Sequence, residues 1–136
     1  LSRGFRALKV WMTLRTHGAD RIGAMVERSC ELAQMMAARI DREPALERLA
    51  PVALNIVCFR FVAGTGDLDQ LNAEIVADLQ ESGIAAPSTT TIDGRLAIRA
   101  ALVNHRTRVE DVERVIDAVL SMGQARAHKA QRDNAA

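Results

Sequence analysis

Aromatic residues are scarce in this sequence of 136 residues: Phe5, Trp11, Phe59 and Phe61 are the only ones, and there is no tyrosine. A platform for stacking nucleic-acid bases has little to be built from. Charge of one sign is lacking too, because 18 basic and 17 acidic residues leave a net charge of +1, too weak a field to hold a phosphate backbone or a polybasic membrane contact. No apolar run approaches the ~20 residues needed to cross a bilayer, and no basic-then-apolar leader opens the chain, so a cytoplasmic location without membrane contact is the expectation. Only Cys30 and Cys58 carry thiols. Both lie in apolar segments without C-x-x-C spacing, which predicts reduced core residues and neither a disulfide framework nor a zinc site. His17, His105 and His128 have no metal-ligand spacing, so no metal is expected and each reads as a surface or loop residue. The G-x-S-x-G elbow, the phosphate-cradling glycine loop and the dinucleotide fingerprint are all missing. So is an initiator methionine: the sequence opens at Leu1 inside what reads as a helix, as a fragment would.

With 49% hydrophobic and 26% charged residues, the chain has the composition of one folded domain. Leu1, Phe5, Leu8, Trp11 and Leu14 follow helical spacing, with Arg6, Lys9 and Arg15 suited to the other side. His17-Gly18 interrupts the pattern, and Asp20 is placed to cap a second helix that should end near Glu43-Pro44. Val52 to Val62 is apolar at both parities, which predicts a strand interior to a sheet. Asp67 and Gln70 suggest a capping box for a helix closed by Gly83. Ala85 to Asn104 reads as a hairpin about Asp93-Gly94. Its returning strand sets Leu96, Ile98, Ala100 and Leu102 on a greasy face and Arg95, Ala97, Arg99, Ala101 and Val103 on the other. Thr107 with Glu110 suggests the start of a last helix, which should give way after Gly123, the final stretch 129–136 being a frayed tail beyond a domain of residues 1–128. The fold class expected is α+β, a short, mostly antiparallel three-stranded sheet covered by helices.

A complete active site does not emerge from these residues. Asp67, Asp69 and Glu74 sit in the first turns of a helix, where the dipole alone favours carboxylates. Arg99 stands out, mid-strand between Ala97 and Ala101, with room beside it for a carboxylate bound by both prongs of its guanidinium. A structural ion pair, or a side chain snorkelling to water, explains it equally well. Arg106 is less distinctive. The basic side chains Arg3, Arg6, Lys9 and Arg15 could be a solvated face or a surface that meets another domain. A free-standing α+β module that binds a small ligand, or a protein through the Leu1 to Leu14 helix, is the alternative reading to a piece of an enzyme.

Three blocks resemble a known family in their order and spacing. Leu1-Ser2-Arg3-Gly4-Phe5-Arg6-Ala7-Leu8-Lys9-Val10-Trp11 resembles the opening of the C-terminal small domain of group II pyridoxal-phosphate-dependent decarboxylases, the family of the aromatic-L-amino-acid decarboxylases. Asn55-Ile56-Val57-Cys58-Phe59-Arg60 is similar to that domain's first strand. Leu96-Ala97-Ile98-Arg99, with Asn104-His105-Arg106-Thr107 and the helix around Val112 to Ile116, is similar to its last strand and closing helix. Gly4 stands where the family more often has arginine, so no role resting on a paired arginine is carried over. The resemblance implies a fold-type-I homodimer that uses pyridoxal phosphate to release carbon dioxide from an amino-acid substrate, its Schiff-base lysine lying in a large domain of the same polypeptide and not in this chain. It implies further that Ser2 approaches the cofactor, that Leu1 and Arg3 face the active site, and that Arg99 lies near the substrate end of it. No catalytic residue falls within the chain on this reading.

Overall fold

The structure is a computed structural model, and it describes residues 4–64 and 66–133. Helix α1 (Arg6–His17) gives way to α2 (Ala19–Ile40) across Gly18, whose φ of 79° and ψ of 154° leave the helical region. Asp20 is not the cap that its position suggested. Gly18 takes that place, and Asp20 sits within the first turn, where its charge still favours the helix N-terminus. Along α2 the buried residues Leu32, Ala33, Met36, Ala37 and Ile40 repeat at three- and four-residue spacing, and all lie in its C-terminal half. The remainder of α2 and all of α1 project from the core, α1 without a single buried residue.

Four strands form one sheet in the order β1-β2-β4-β3, every neighbour antiparallel: β1 (Leu46–Arg48), β2 (Ile56–Phe61), β3 (Ser88–Ile92) and β4 (Arg95–Ala101). The fourth strand is a correction to the three expected. Strand β1 has only three residues and no alternation of its own, and it exists by pairing Leu46 with Phe61 and Arg48 with Phe59. Strand β2 is interior, as its two apolar parities predict. Between β3 and β4 the turn residues Asp93 (φ 49°) and Gly94 (φ 74°) both adopt the left-handed region of a type I′ turn.

Register places Leu46, Val57, Phe59, Phe61 and Ile98 on one face, and α2, α3 (Leu68–Glu81) and α4 (Val109–Asp133) supply the other half of that core. Phe59, Phe61, Ile98, Ile75, Leu79 and Ile116 are fully buried, each removing apolar surface worth roughly 1.5–3 kcal/mol. The ladder between β2 and β4 stops at Phe59↔Ile98. One step further, α3 fills the gap: Asn72 accepts the Phe61 N–H at 2.7 Å and donates to the Phe61 carbonyl at 2.9 Å, while Asp69 accepts the Leu96 N–H at 3.1 Å. Asp67 caps this helix by accepting the N–H groups of Asp69 and Gln70, and Gly83 (φ 72°) follows its end.

Helix α4 departs from expectation at both ends. Its first turn is held by Asp111, which accepts the Arg108 N–H at 2.9 Å, so the cap lies one residue beyond the Thr107–Glu110 pair. It also continues past Gly123 as far as Asp133. Gly123 is a packing residue, because a Cβ there would stand 2.6 Å from the ring of Phe61. Alanine would gain up to about 1 kcal/mol in helix propensity, but displacing a fully buried ring costs about 1–3 kcal/mol. Gly123→Ala is therefore expected to lower the melting temperature, and a rise would show that the ring yields freely.

Two arginines clasp the helices. Arg39 of α2 pairs with Glu43 and reaches Glu113 and Asp117 of α4 at 3.3 and 3.6 Å. Arg126 of α4 holds Asp78 of α3 through two bonds, of 2.6 and 2.7 Å, and also pairs with Glu74. The hydrogen bond from Arg126 holds the Asp78 carboxyl below its ordinary pKa of 3.8. A carboxyl depressed in the folded state contributes stability that is whole above its unfolded pKa and is lost as pH falls through the lower folded value. Stability measured by urea denaturation should accordingly drop below about pH 4 less steeply in Arg126→Met than in the parent chain.

Candidate functional site

The helix-covered face uses the apolar parity of β2 and β4, and none of Cys58, Ala97, Arg99 or Ala101 belongs to that cluster. These residues lie on the opposite face. Register sets Arg99 directly between Cys58 of β2 and Ser88 of β3. Three arginines share this face, and their charges are treated differently. Arg60 is 4% exposed and pairs with Asp69 at 3.0 Å, while Arg95 pairs with Glu47 of β1 at 2.7 Å. Arg99 has no carboxylate among the described residues; its nearest partner is the Ser88 hydroxyl, 3.5 Å from Nη1. The ion-pair explanation for Arg99 is thereby removed within these residues, and a half-buried guanidinium is left on a rigid strand between two alanines.

Cys58 is free and half-buried, as is Cys30, so neither is the core residue expected from its apolar neighbours. Cys58 falls on the face that the helices leave uncovered, and Cys30 lines a shallow notch with Met25, Val26, Leu54 and Val103. Burial raises the Cys58 thiol above its ordinary pKa, and the Arg99 charge opposes that shift. The strand pairing supplies what the sequence reading of Arg99 lacked. Ser88 was within reach of that reading, since a two-residue turn at Asp93-Gly94 fixes its partner; Cys58 was not, because its register depends on tertiary pairing.

Other candidates separate from this place. Leu1, Ser2 and Arg3 lie outside the described residues. Arg106 is exposed and lines a different groove. His17 is in the last turn of α1, His105 in the loop after β4 and His128 on α4, all exposed. No group of three or more potential metal ligands occurs among the described residues, and no helix there is long and apolar enough to cross a membrane.

The described residues thus present an antiparallel sheet with helices on one face and, on the other, Arg99 without a carboxylate partner. Comparison with known proteins sets this fold among relatives. Residues 1–62 match the family described as the pyridoxal-dependent decarboxylase conserved domain. The chain is 28% identical to an aromatic-L-amino-acid decarboxylase of Bacillus atrophaeus over 91% of its own length and 27% of that protein's. It is 32% identical to an L-2,4-diaminobutyrate decarboxylase of Rhizobium meliloti, over 83% of this chain and 23% of the relative. A solved structure, the glutamate decarboxylase domain of a Vibrio parahaemolyticus protein named for diaminobutyrate-pyruvate transaminase and L-2,4-diaminobutyrate decarboxylase, superposes with a TM-score of 0.79 at 28% identity, over 88% of this chain and 26% of that one. Over these spans the chain is similar to pyridoxal-dependent decarboxylases, and residues 1–62 carry the pattern of their conserved domain. The chain spans about a quarter of the length of these relatives.

The Arg99–Cys58 pairing can be tested by thiol chemistry. Because Arg99 favours the Cys58 thiolate, Arg99→Gln should slow alkylation of Cys58 by iodoacetamide about twofold or more at constant pH, with Cys30 as the internal reference. Equal rates would show that Arg99 does not act on Cys58.

Proposed function

We propose that residues 1–128 are the C-terminal small domain of a pyridoxal-phosphate-dependent decarboxylase that converts an aromatic L-amino acid into its amine and carbon dioxide. The observation that carries this reading is a match over 91% of this chain that occupies only 27% of an aromatic-L-amino-acid decarboxylase. The match to a diaminobutyrate decarboxylase over nearly the same span supports decarboxylation itself, and substrate choice is proposed to rest with residues elsewhere in the polypeptide.

The cofactor is assigned to the remainder of the polypeptide. The two lysines of this chain, Lys9 and Lys129, are both exposed on helices, and neither lines a cavity among the described residues. The described residues do not fit a covalently held pyridoxal phosphate. What they fit is a surface closing one side of a site. Helix α1 exposes Leu8, Val10, Trp11, Met12 and Leu14, with Phe5 exposed just before it, and a helix of this length in water needs such a face to be packed. The notch beside Cys30 adds further exposed apolar residues, Leu54 being 65% and Val103 77% exposed. Apolar area on this scale supports a large domain of the same polypeptide as the partner.

Arg99, on a strand paired on both sides and without a carboxylate among the described residues, is proposed to orient substrate or a segment that covers it, and Leu1, Ser2 and Arg3 to face the same site, Ser2 toward the cofactor. A small domain in that position fixes the substrate and excludes water, both of which lower the barrier without supplying a reacting group. A homodimer in the cytoplasm completes the proposal, on the family resemblance alone. The test is the complete polypeptide assayed for carbon dioxide release from aromatic L-amino acids. Arg99→Ala is expected to reduce kcat/KM by tenfold or more, roughly the worth of a charge-assisted bond, while the bound pyridoxal phosphate measured by absorbance is unchanged. Loss of cofactor in step with activity, or unaltered kinetics, would return Arg99 to a structural role. No release of carbon dioxide by the parent would overturn the activity assigned.

A further inference from the structure

We propose that a second groove, where β4 leaves the sheet, is a binding site for an organic monocarboxylate with an apolar body. The groove has a volume of about 570 Å³, within the range that holds small molecules. Its lining combines Met36 of α2, Leu102 at the end of β4, Val112 and Val115 of α4, and Ile84 and Pro87 of the loop before β3. Met36 and Val112 are buried side chains that continue into the core, so the floor is apolar and fixed.

Asn104, Arg106, Thr107, Asp111 and Arg114 are the groove's polar lining, and neither arginine pairs with a carboxylate among the described residues, whereas Arg39, Arg48, Arg60, Arg95 and Arg126 all do. Asp111 is engaged through Oδ2 with the Arg108 N–H at 2.9 Å. Two guanidinium groups and one carboxylate leave a single net positive charge, which a monoanion neutralises and which disfavours an amine. The strand edge adds polar backbone to the same cavity. Strand β3 begins only at Ser88, opposite Arg99, so Ala101, which lines the groove, has no strand beside it on that side. A carboxylate held by Arg106 and Arg114 would place its apolar body over Leu102, Val112 and Val115. This inference does not rest on the decarboxylase reading.

The experiment uses the complete polypeptide and a diazirine-bearing medium-chain fatty acid as photoaffinity probe, with its primary amide as the neutral control and peptide mass spectrometry to locate the label. Saturable labelling within segments 84–87 and 100–115 is expected, about tenfold weaker for the amide and in the double variant Arg106→Gln, Arg114→Gln. Both arginines are exposed, so the double variant should keep its melting temperature. Val115→Trp, which fills the groove and leaves both charges in place, should also block labelling. Equal labelling by acid and amide, indifference to the arginine substitutions, or labelling confined to other segments would each overturn the proposal.

Discussion

Asn72 has no exposed surface, and its amide makes three bonds, accepting the Phe61 N–H and donating to the carbonyls of Phe61 and Leu68. A buried backbone donor or acceptor left unpaired costs roughly 1–3 kcal/mol, and at Phe61 both groups are at stake. The amide stands where β4 would otherwise continue the ladder, so a helix side chain does the work of a strand. Several features follow from that substitution. Helix α3 is pinned to β2, and its first turn brings Asp69 to the Leu96 N–H and to the Arg60 guanidinium. The Phe61 ring is held in the core, and α4 can close over it only because Gly123 presents no side chain there. One polar contact thereby positions two helices relative to the sheet.

The same contact bears on electrostatics. By drawing Asp69 into the gap between β2 and β4, it supplies the partner that makes a nearly buried Arg60 tolerable, although Arg60 Nε stays without a hydrogen-bond partner among the described residues. Glu47 answers Arg95 across the face from β1. With these two charges matched, Arg99 alone among the described residues keeps an uncommitted guanidinium on the helix-free face. The clasps made by Arg39 and Arg126 lie between helices and engage Glu74 and Asp78 of α3 and Glu113 and Asp117 of α4 in holding the fold.

Much of this architecture could be read from the chain, and what could not be read has specific causes. Helix periodicity, the two apolar parities of β2 and the Asp93-Gly94 turn are local signals, and each located its element. Strand β1 is invisible locally, because three residues after a proline become a strand only when β2 lies beside them. Gly123 misled for a related reason: glycine usually weakens a helix, and its use here as clearance for Phe61 depends on a contact across the core. At the caps of α2 and α4 the sequence named the right neighbourhoods, and the backbone settled on Gly18 and on the Asp111 contact instead. Arg99 was legible as a strand residue between alanines. That no carboxylate answers it was not, because the acids that might have done so were assigned to other arginines by tertiary pairing.

The uneven distribution of burial is what would suit Arg99 to the role proposed for it. A guanidinium on a loop would lose orientation whenever the loop moved, but Arg99 is flanked on both sides by paired strands and backed by a core of fully buried residues. Its position is fixed by the same contacts that give the sheet its stability. Helix α1 has the opposite character, exposing its apolar residues and burying none, so its own position must come from whatever covers it. A domain built in this way joins a rigid charged face to an adhesive arm. In the proposed function the sheet presents Arg99 on a backbone that is already fixed, so that little further backbone entropy is lost when a carboxylate is met there.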